Sequence, residues 1–289
     1  MATIITNRAT VNYNSGSSSA VAFSNTTRTI LSGSLRISKT SLSDSYQIGS
    51  EPTYVISIGN NSSEIAQTVK VTDDLGTFTD GTNVYTPLTY IGAAQLFING
   101  EYVSNITPLI EANGITFEIT NIPANGTAQI IYRTSVNEYA CPMVGTSIIN
   151  TACAEYVCNC PCDAPVCASA TLTATEYADV QITKSVCPNP IVCGELLNYV
   201  FDIYNYGNIE ASNVIFTDTF TPALENIAVA INGTSIGEDK YTYVDGVLTI
   251  SAATGSDINI PAASCVRDAE TGIVEIIPEK VTISVSGNV

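Results

Sequence analysis

One stretch of this chain occurs twice, from Leu35 to Asp73 and from Val180 to Asp218, and the copies align without a gap. Lys39 matches Lys184, Gly49 matches Gly194, Tyr54 matches Tyr199, Asn60 matches Asn205 and Asp73 matches Asp218, all at an offset of 145. A gapless duplication means that one fold is built twice, and 289 residues accommodate two domains of ordinary size with a core each. Each copy carries three alternating runs: LRISK or VQITK, then TYVISIGN or NYVFDIYN, then a run ending in VTD or FTD. Val, Ile, Thr and Tyr fill these runs and Gly, Asn, Ser and Pro separate them, which favours strands. No helical period interrupts the pattern. The chain reads as all-β.

The same residues carry a resemblance. The order of a strand ending in Lys, then IG or CG, then Y-x-(I/F)-x-(I/Y)-x-N, then V-x-(V/F)-TD resembles the bacterial conserved repeat, an Ig-like domain numbered eleven among domains of unknown function. It covers most of both halves. It implies two tandem Ig-like β-sandwich modules, here module 1 over 34–178 and module 2 over 179–289, after an N-terminal segment of residues 1–33. The two-module architecture also resembles the major subunits of clostridial spore appendages, which implies a structural role.

Charge and motif content exclude several functions. The net charge of −17, with only ten Lys and Arg, argues against nucleic acid, whose phosphates need cationic partners. No apolar run is long enough to span a bilayer, and the N-terminus has neither the basic region nor the apolar core of a signal peptide. There is no His or Trp, and no GxSxG, phosphate loop or HExxH. An enzyme is therefore not expected, nor a metal or cofactor. The nine cysteines fit poorly with a reducing cytosol. Synthesis in a mother cell, followed by exposure on a spore surface after lysis, reconciles them with the missing leader.

The N-terminus repeats a pattern that belongs late in a module. Residues 3–13 resemble 146–156 at an offset of 143, with Ile5 matching Ile148, Asn7 matching Asn150, Ala9 matching Ala152 and Tyr13 matching Tyr156. Residues 20–31 likewise resemble 166–175. Module 1 continues past AQIIYRTSV into both strands, whereas module 2 reaches Val289 without them. A sandwich lacking two strands exposes sheet edges and part of its core. Residues 3–31 of one subunit are therefore expected to complete module 2 of the next by donor-strand complementation, head to tail. Closure of module 2 by its own N-terminus is the alternative.

Strand alternation turns Leu35, Ile37 and Lys39 to one face, as it does Val69, Val71 and Asp73, and Ile148, Asn150 and Ala152. An inward Lys must be paired or neutral. One reading is a buried Lys–Asp ion pair with a hydrogen-bonded Asn. The other, implied by pilin-type Ig-like domains, is an isopeptide bond in which neutral Lys attacks the Asn carboxamide beside a proton-shuttling carboxyl. The two triads are Lys39–Asp73–Asn150 within a chain and Lys184–Asp218–Asn7 between chains.

Eight of the nine cysteines fall between Cys141 and Cys193. Cys187 and Cys193 flank a Pro-rich turn and suit a small disulfide loop. Cys158, Cys160, Cys162 and Cys167 lie in CNCPCDAPVC, whose spacing is not a standard zinc pattern, although metal remains the competing reading. Cys141, Cys153 and Cys265 have no assignable partners, and the odd count leaves at least one thiol free or paired with another chain. The expectation is a structural, self-polymerising extracellular fibre subunit whose partners are copies of itself, with other appendage or spore-coat proteins possible partners. A monomeric adhesin or matrix-binding module is the alternative.

Overall fold

A computed structural model describes residues 3–31, 35–157, 164–190, 192 and 194–289. It is all-β, with only two single-turn 3-10 helices among the described residues. The N-terminal segment carries β1 (Thr3–Asn7), β2 (Thr10–Ser15), β3 (Ser18–Phe23) and β4 (Thr27–Leu31). The first repeat begins with β5 (Leu35–Ser41), β6 (Ser45–Tyr46), β7 (Thr53–Asn60) and β8 (Ala66–Asp73). It continues with β9 (Phe78–Asp80), β10 (Asn83–Tyr85), β11 (Leu88–Ile98), β12 (Glu101–Ile106) and β13 (Leu109–Glu111). Then come β14 (Gly114–Ile122), β15 (Thr127–Val136), β16 (Ser147–Tyr156) and β17 (Val166–Ala174). The second repeat holds β18 (Val180–Cys187), β19 (Leu196–Asn205), β20 (Ala211–Val214), β21 (Phe216–Thr219), β22 (Glu225–Ile231) and β23 (Thr234–Ile236). It ends with β24 (Thr242–Val244), β25 (Val247–Ile250), β26 (Ile258–Ile260), β27 (Ser264–Arg267), β28 (Val274–Ile277) and β29 (Glu279–Asn288).

The chain divides into two compact units. One comprises Met1–Leu42, Glu51–Ser135 and Ile149–Ala170, and the other Ser43–Ser50, Val136–Ile148 and Thr171–Val289.

Sheet order bears out the duplication. In the first repeat one sheet runs β5-β7-β15-β11-β12, and in the second it runs β18-β19-β29-β22-β23. The opposing sheets diverge. The first repeat has β13-β14-β8-β16-β17-β6, whereas the second has only β24-β25-β21 and the short pair β20-β26. Strand β21 matches the end of β8, yet among the described residues nothing continues the sheet beyond it.

Each sandwich core follows from alternation along its strands. Along β15, Ala128, Ile130, Tyr132, Thr134 and Val136 are all buried. Tyr132 meets Phe117 of the facing sheet with ring centroids 5.8 Å apart. In the second repeat Phe201 meets Phe216 edge-on at 4.8 Å, within a cluster that includes Leu248, Ile250, Ile283 and Val285. Edge-to-face pairs of this kind add about 0.5–1.5 kcal/mol beyond area burial.

The repeat is exact at one polar position. Asn60 Nδ2 donates to the carbonyls of Glu64 (2.8 Å), Ile122 (3.2 Å) and Pro123 (2.9 Å). Asn205 Nδ2 does the same to Ile209 (2.8 Å), Ile260 (3.3 Å) and Pro261 (3.1 Å). Both are buried. Each satisfies carbonyls at the turn where its strand ends, which explains why the two copies carry Asn here.

Candidate functional site

The first triad assembles as a buried network. Lys39 from β5 and Asp73 at the end of β8 form an ion pair at 2.7 Å, with both side chains fully buried. Asp73 also accepts from the Tyr132 hydroxyl and from the Leu75 amide at 3.1 Å. Asn150 from β16 donates through Nδ2 to the Tyr132 hydroxyl at 3.2 Å. Tyr54 stacks on Tyr132 at 5.6 Å, and the Lys39 ammonium lies 5.1 Å from the Tyr54 ring centroid. Thus Lys39, Asp73 and Asn150 come together as the sequence pattern implies, but Tyr132 stands between the carboxylate and the amide. Among the described residues the buried Asn150 Oδ1 and Tyr54 hydroxyl make no hydrogen bond of ordinary geometry, although Asn150 lies close enough to Tyr54 to restrain the rise of its hydroxyl.

Burial sets the electrostatics. Desolvation pulls Lys39 down to about 8, opposed by the Asp73 charge and hydrogen bond. Desolvation also pushes the Tyr54 and Tyr132 hydroxyls up, aided by the Asp73 charge. A lysine whose folded pKa is lowered binds fewer protons folded than unfolded, so its contribution to stability rises with pH. The window lies between its folded value near 8 and the ordinary 10.5. Toward the upper end of that window the raised tyrosines reverse the slope, because unfolded tyrosines, at an ordinary value of 10.0, lose their protons first. Hydrogen exchange of β7 and β15 should therefore show stability increasing by about 2 kcal/mol between about pH 8 and 9.5, then declining. A Lys39→Met chain should be flat over the same interval.

The second site has the same ion pair in a different setting. Lys184 Nζ lies 2.8 Å from Asp218, but its side chain is 43% exposed. The ammonium faces the rings of Tyr199 (4.7 Å), Phe201 (5.1 Å) and Phe220 (5.5 Å). Val285, opposite Tyr199 in the ladder, takes the place that Tyr132 holds opposite Tyr54. Among the described residues, no hydroxyl bonds Asp218 as Tyr132 bonds Asp73.

The difference in exposure extends along the whole strand. Every residue of β18 is exposed, including Val180 and Ile182, whereas Leu35 and Lys39 of β5 are buried. In the same unit of the first repeat, β16 buries Asn150, Ala152 and Ala154 and β17 buries Ala170. The second repeat has no such strands among its described residues. Its β18 face and its β21 edge are open.

The N-terminal segment is a separate pair of two-stranded sheets. Strand β1 pairs antiparallel with β4, and β2 with β3, so residues 3–31 form one long hairpin turning at Gly16. Strands β16 and β17 are likewise neighbours in their sheet, joined by the Cys153–Cys167 disulfide and by a Thr151–Ser169 hydroxyl contact of 2.9 Å. At the offset of 143 Cys153 corresponds to Thr10, which pairs with Phe23 in the N-terminal hairpin. Where β16 buries its face, the hairpin exposes it: Asn7 and Ala9 are exposed, as are Val11 (59%), Tyr13 (51%), Val21 (53%) and Phe23 (58%).

The cysteines separate into three groups. Cys153 and Cys167 are bonded to each other, a pairing that the sequence spacing does not reveal. Cys141, Cys187 and Cys265 are thiols. Cys158, Cys160, Cys162 and Cys193 lie outside the described residues, and with them the expected Cys187–Cys193 loop.

No protein-family model matches the chain, and no curated protein matches it. Among solved structures it is similar to BcpA, the major pilin subunit of Bacillus cereus, at 13% identity and a TM-score of 0.40, over 86% of this chain and 66% of that one. It is similar to a 35 kDa C-terminal fragment of the Streptococcus agalactiae major pilin GBS80 at 13% identity and a TM-score of 0.36, over 86% and 91% of the two chains. The collagen-binding subdomain of the Enterococcus faecalis surface protein ACE matches 47% of this chain at 9% identity and a TM-score of 0.34. No helix among the described residues is long and apolar enough to cross a membrane.

Proposed function

We propose that this chain is the structural subunit of an extracellular fibre, of the spore-appendage kind, in which the N-terminal hairpin of one copy completes the second sandwich of the next. The observation that carries this reading is the paired exposure of a hairpin and a gap of matching pattern. Transferring the β16–β8 register, Ala152 opposite Asp73 and Ala154 opposite Val71, places Ala9 opposite Asp218 and Val11 opposite Phe216. Asn7 then stands where Asn150 stands, beside Lys184 and Asp218. Full burial of a Val, Ile or Phe side chain stabilises by about 1.5–3 kcal/mol, so several such residues on each surface favour docking. Donor and acceptor lie on different surfaces, which makes the contact heterologous and the assembly open-ended. Purified full-length chain should form fibres visible by negative-stain microscopy. A chain that stays monomeric at high concentration removes this reading and favours closure of the sandwich by its own hairpin.

Covalent reinforcement belongs to the same proposal. In each triad the Lys amine attacks the Asn Cγ, the C–N bond to the carboxamide nitrogen breaks, and ammonia leaves with the transferred protons while the carboxyl relays them. Support comes from the desolvation that holds Lys39 near 8 and from the buried Asn150 Oδ1, which makes no hydrogen bond of ordinary geometry among the described residues. In the first site the Lys39 hydrogen bond goes to Asp73 and the Asn150 amide bonds Tyr132, so the reaction requires Tyr132 to yield. The second site carries Val285 there instead. Each bond should lower the intact mass by one ammonia and leave a branched Lys–Asn peptide after digestion. Full calculated mass in fibre and monomer alike would leave the ion pair as the whole role of these residues.

A further inference from the structure

Cys141 and Cys265 are 124 residues apart in the chain, yet their Sγ atoms lie 2.6 Å apart. Both belong to the same compact unit. Their backbones are fixed independently of the sulfurs. The Cys141 carbonyl accepts from the Tyr46 hydroxyl and the Thr146 hydroxyl, each at 2.6 Å. Cys265 sits in β27 opposite Ile276 of β28. The same two segments meet at two further points: the Val274 amide donates to the Glu138 carbonyl at 2.9 Å, and Arg267 Nη2 donates to the Tyr139 carbonyl at 3.2 Å. The approach of the thiols is thus imposed by the surrounding backbone, and it lies near the bond length of about 2.05 Å that a disulfide requires.

We propose that Cys141 and Cys265 form an internal disulfide that fastens the β27–β28 hairpin to the 138–146 turn of the same chain, made by exchange with a low-molecular-weight disulfide. In the first step the Cys141 thiolate attacks one sulfur of the small disulfide, giving a mixed disulfide and releasing one small thiolate. In the second, the Cys265 sulfur attacks Cys141 Sγ, the new S–S bond forms, and the second small thiolate leaves. Two protein thiols are oxidised, one small disulfide is reduced to two thiols, and the two protein protons end on them. The order of attack follows from the surroundings. Burial, and then the hydrogen bond and charge of Cys141, push the Cys265 thiol up to about 12, so Cys265 is the poorer first nucleophile. Once Cys141 is in the mixed disulfide, its sulfur is neutral and stands beside its attacker.

The staple acts within one chain and is independent of polymerisation. Its consequence is rigidity. Closing so long a loop restricts the unfolded chain strongly, and the hairpin it holds is a two-stranded sheet of its own. A two-stranded hairpin is marginal alone. The redox state of the surroundings therefore sets how firmly this hairpin is held.

The test starts from full-length chain reduced with a phosphine, freed of reductant under nitrogen and exposed to glutathione disulfide. Free thiols are then alkylated and the unreduced digest is read by mass spectrometry. A peptide joining Cys141 to Cys265, lost on reduction, is expected, together with at least about tenfold slower amide exchange across β27 and β28 than in the reduced chain. The exchange difference should vanish in the Cys265→Ser chain, in which Cys141 becomes alkylated. Alkylation of both cysteines in the oxidised wild-type chain, or a link from either to another cysteine, overturns the proposal. The wild-type digest decides the matter even where the variant does not fold.

Discussion

A chain lacking residues 1–33 should form no fibres under conditions in which the proposed assembly gives fibres of the full-length chain. The expected effect is total loss, because without the hairpin nothing in the truncated chain matches the open face of β18 and the edge of β21. The truncated chain keeps its first sandwich, whose strands begin at Leu35 and whose Lys39–Asp73 pair is held by Tyr132 and Leu75 of the same repeat. Its far-ultraviolet spectrum should remain that of a β protein. It also retains an acceptor, so adding it to full-length chain should cap growing ends and shorten fibres in proportion to its share. Fibres of unchanged length and number from the truncated chain would place the assembly surface elsewhere.

The second large effect separates two carboxylates that the sequence repeats. Asp73→Ala leaves Lys39 buried and unpaired and removes the acceptor of the Tyr132 hydroxyl. Breaking a buried pair in this way destabilises by about 3–5 kcal/mol. Asp218→Ala acts on a lysine whose side chain is 43% exposed, and in the free subunit it should lose no more than about 1 kcal/mol. That near-silence ends on assembly. In the proposed docking the hairpin buries Lys184, so Asp218→Ala should weaken fibre formation far more than it weakens the monomer. Chemical denaturation of both variants, alongside fibre yield, reads both effects. Equal destabilisation of the two monomers would mean that the second site is already covered.

Much of this was legible in the residues because duplication removes ambiguity. A single alternating run can be a strand on either face of a sheet. Two runs aligned at an offset of 145, from Lys39–Lys184 through Asp73–Asp218, constrain each other, and the five-strand sheets duly share one order. Inward placement of Lys39, Asp73 and Asn150 followed from period-two alternation alone and is observed. Tyr132 was missed because it lies outside the aligned stretch and its counterpart is Val285. Its signal was present in AQIIYRTSV, where alternate residues run Ala128, Ile130, Tyr132, Thr134. An inward Tyr beside an inward Lys and Asp needs a hydroxyl partner. The roles of Asn60 and Asn205 are not legible from their alignment, since two of the three carbonyls each amide serves lie 55 to 63 residues away. Cysteine pairing was not legible. Cys153 meets Cys167 through strand adjacency, and Cys141 meets Cys265 through tertiary contact, neither of which spacing encodes.

The most direct test of the donated hairpin is hydrogen–deuterium exchange on the truncated chain with and without a synthetic peptide of residues 1–33. The peptide should bind one to one and protect the backbone amides of β18 and of Phe216–Thr219 in β21, leaving the first repeat unchanged. A peptide in which Val11 and Tyr13 are both replaced by Asp should protect neither. Protection that falls on the first repeat, or no protection at saturating peptide, would contradict the account.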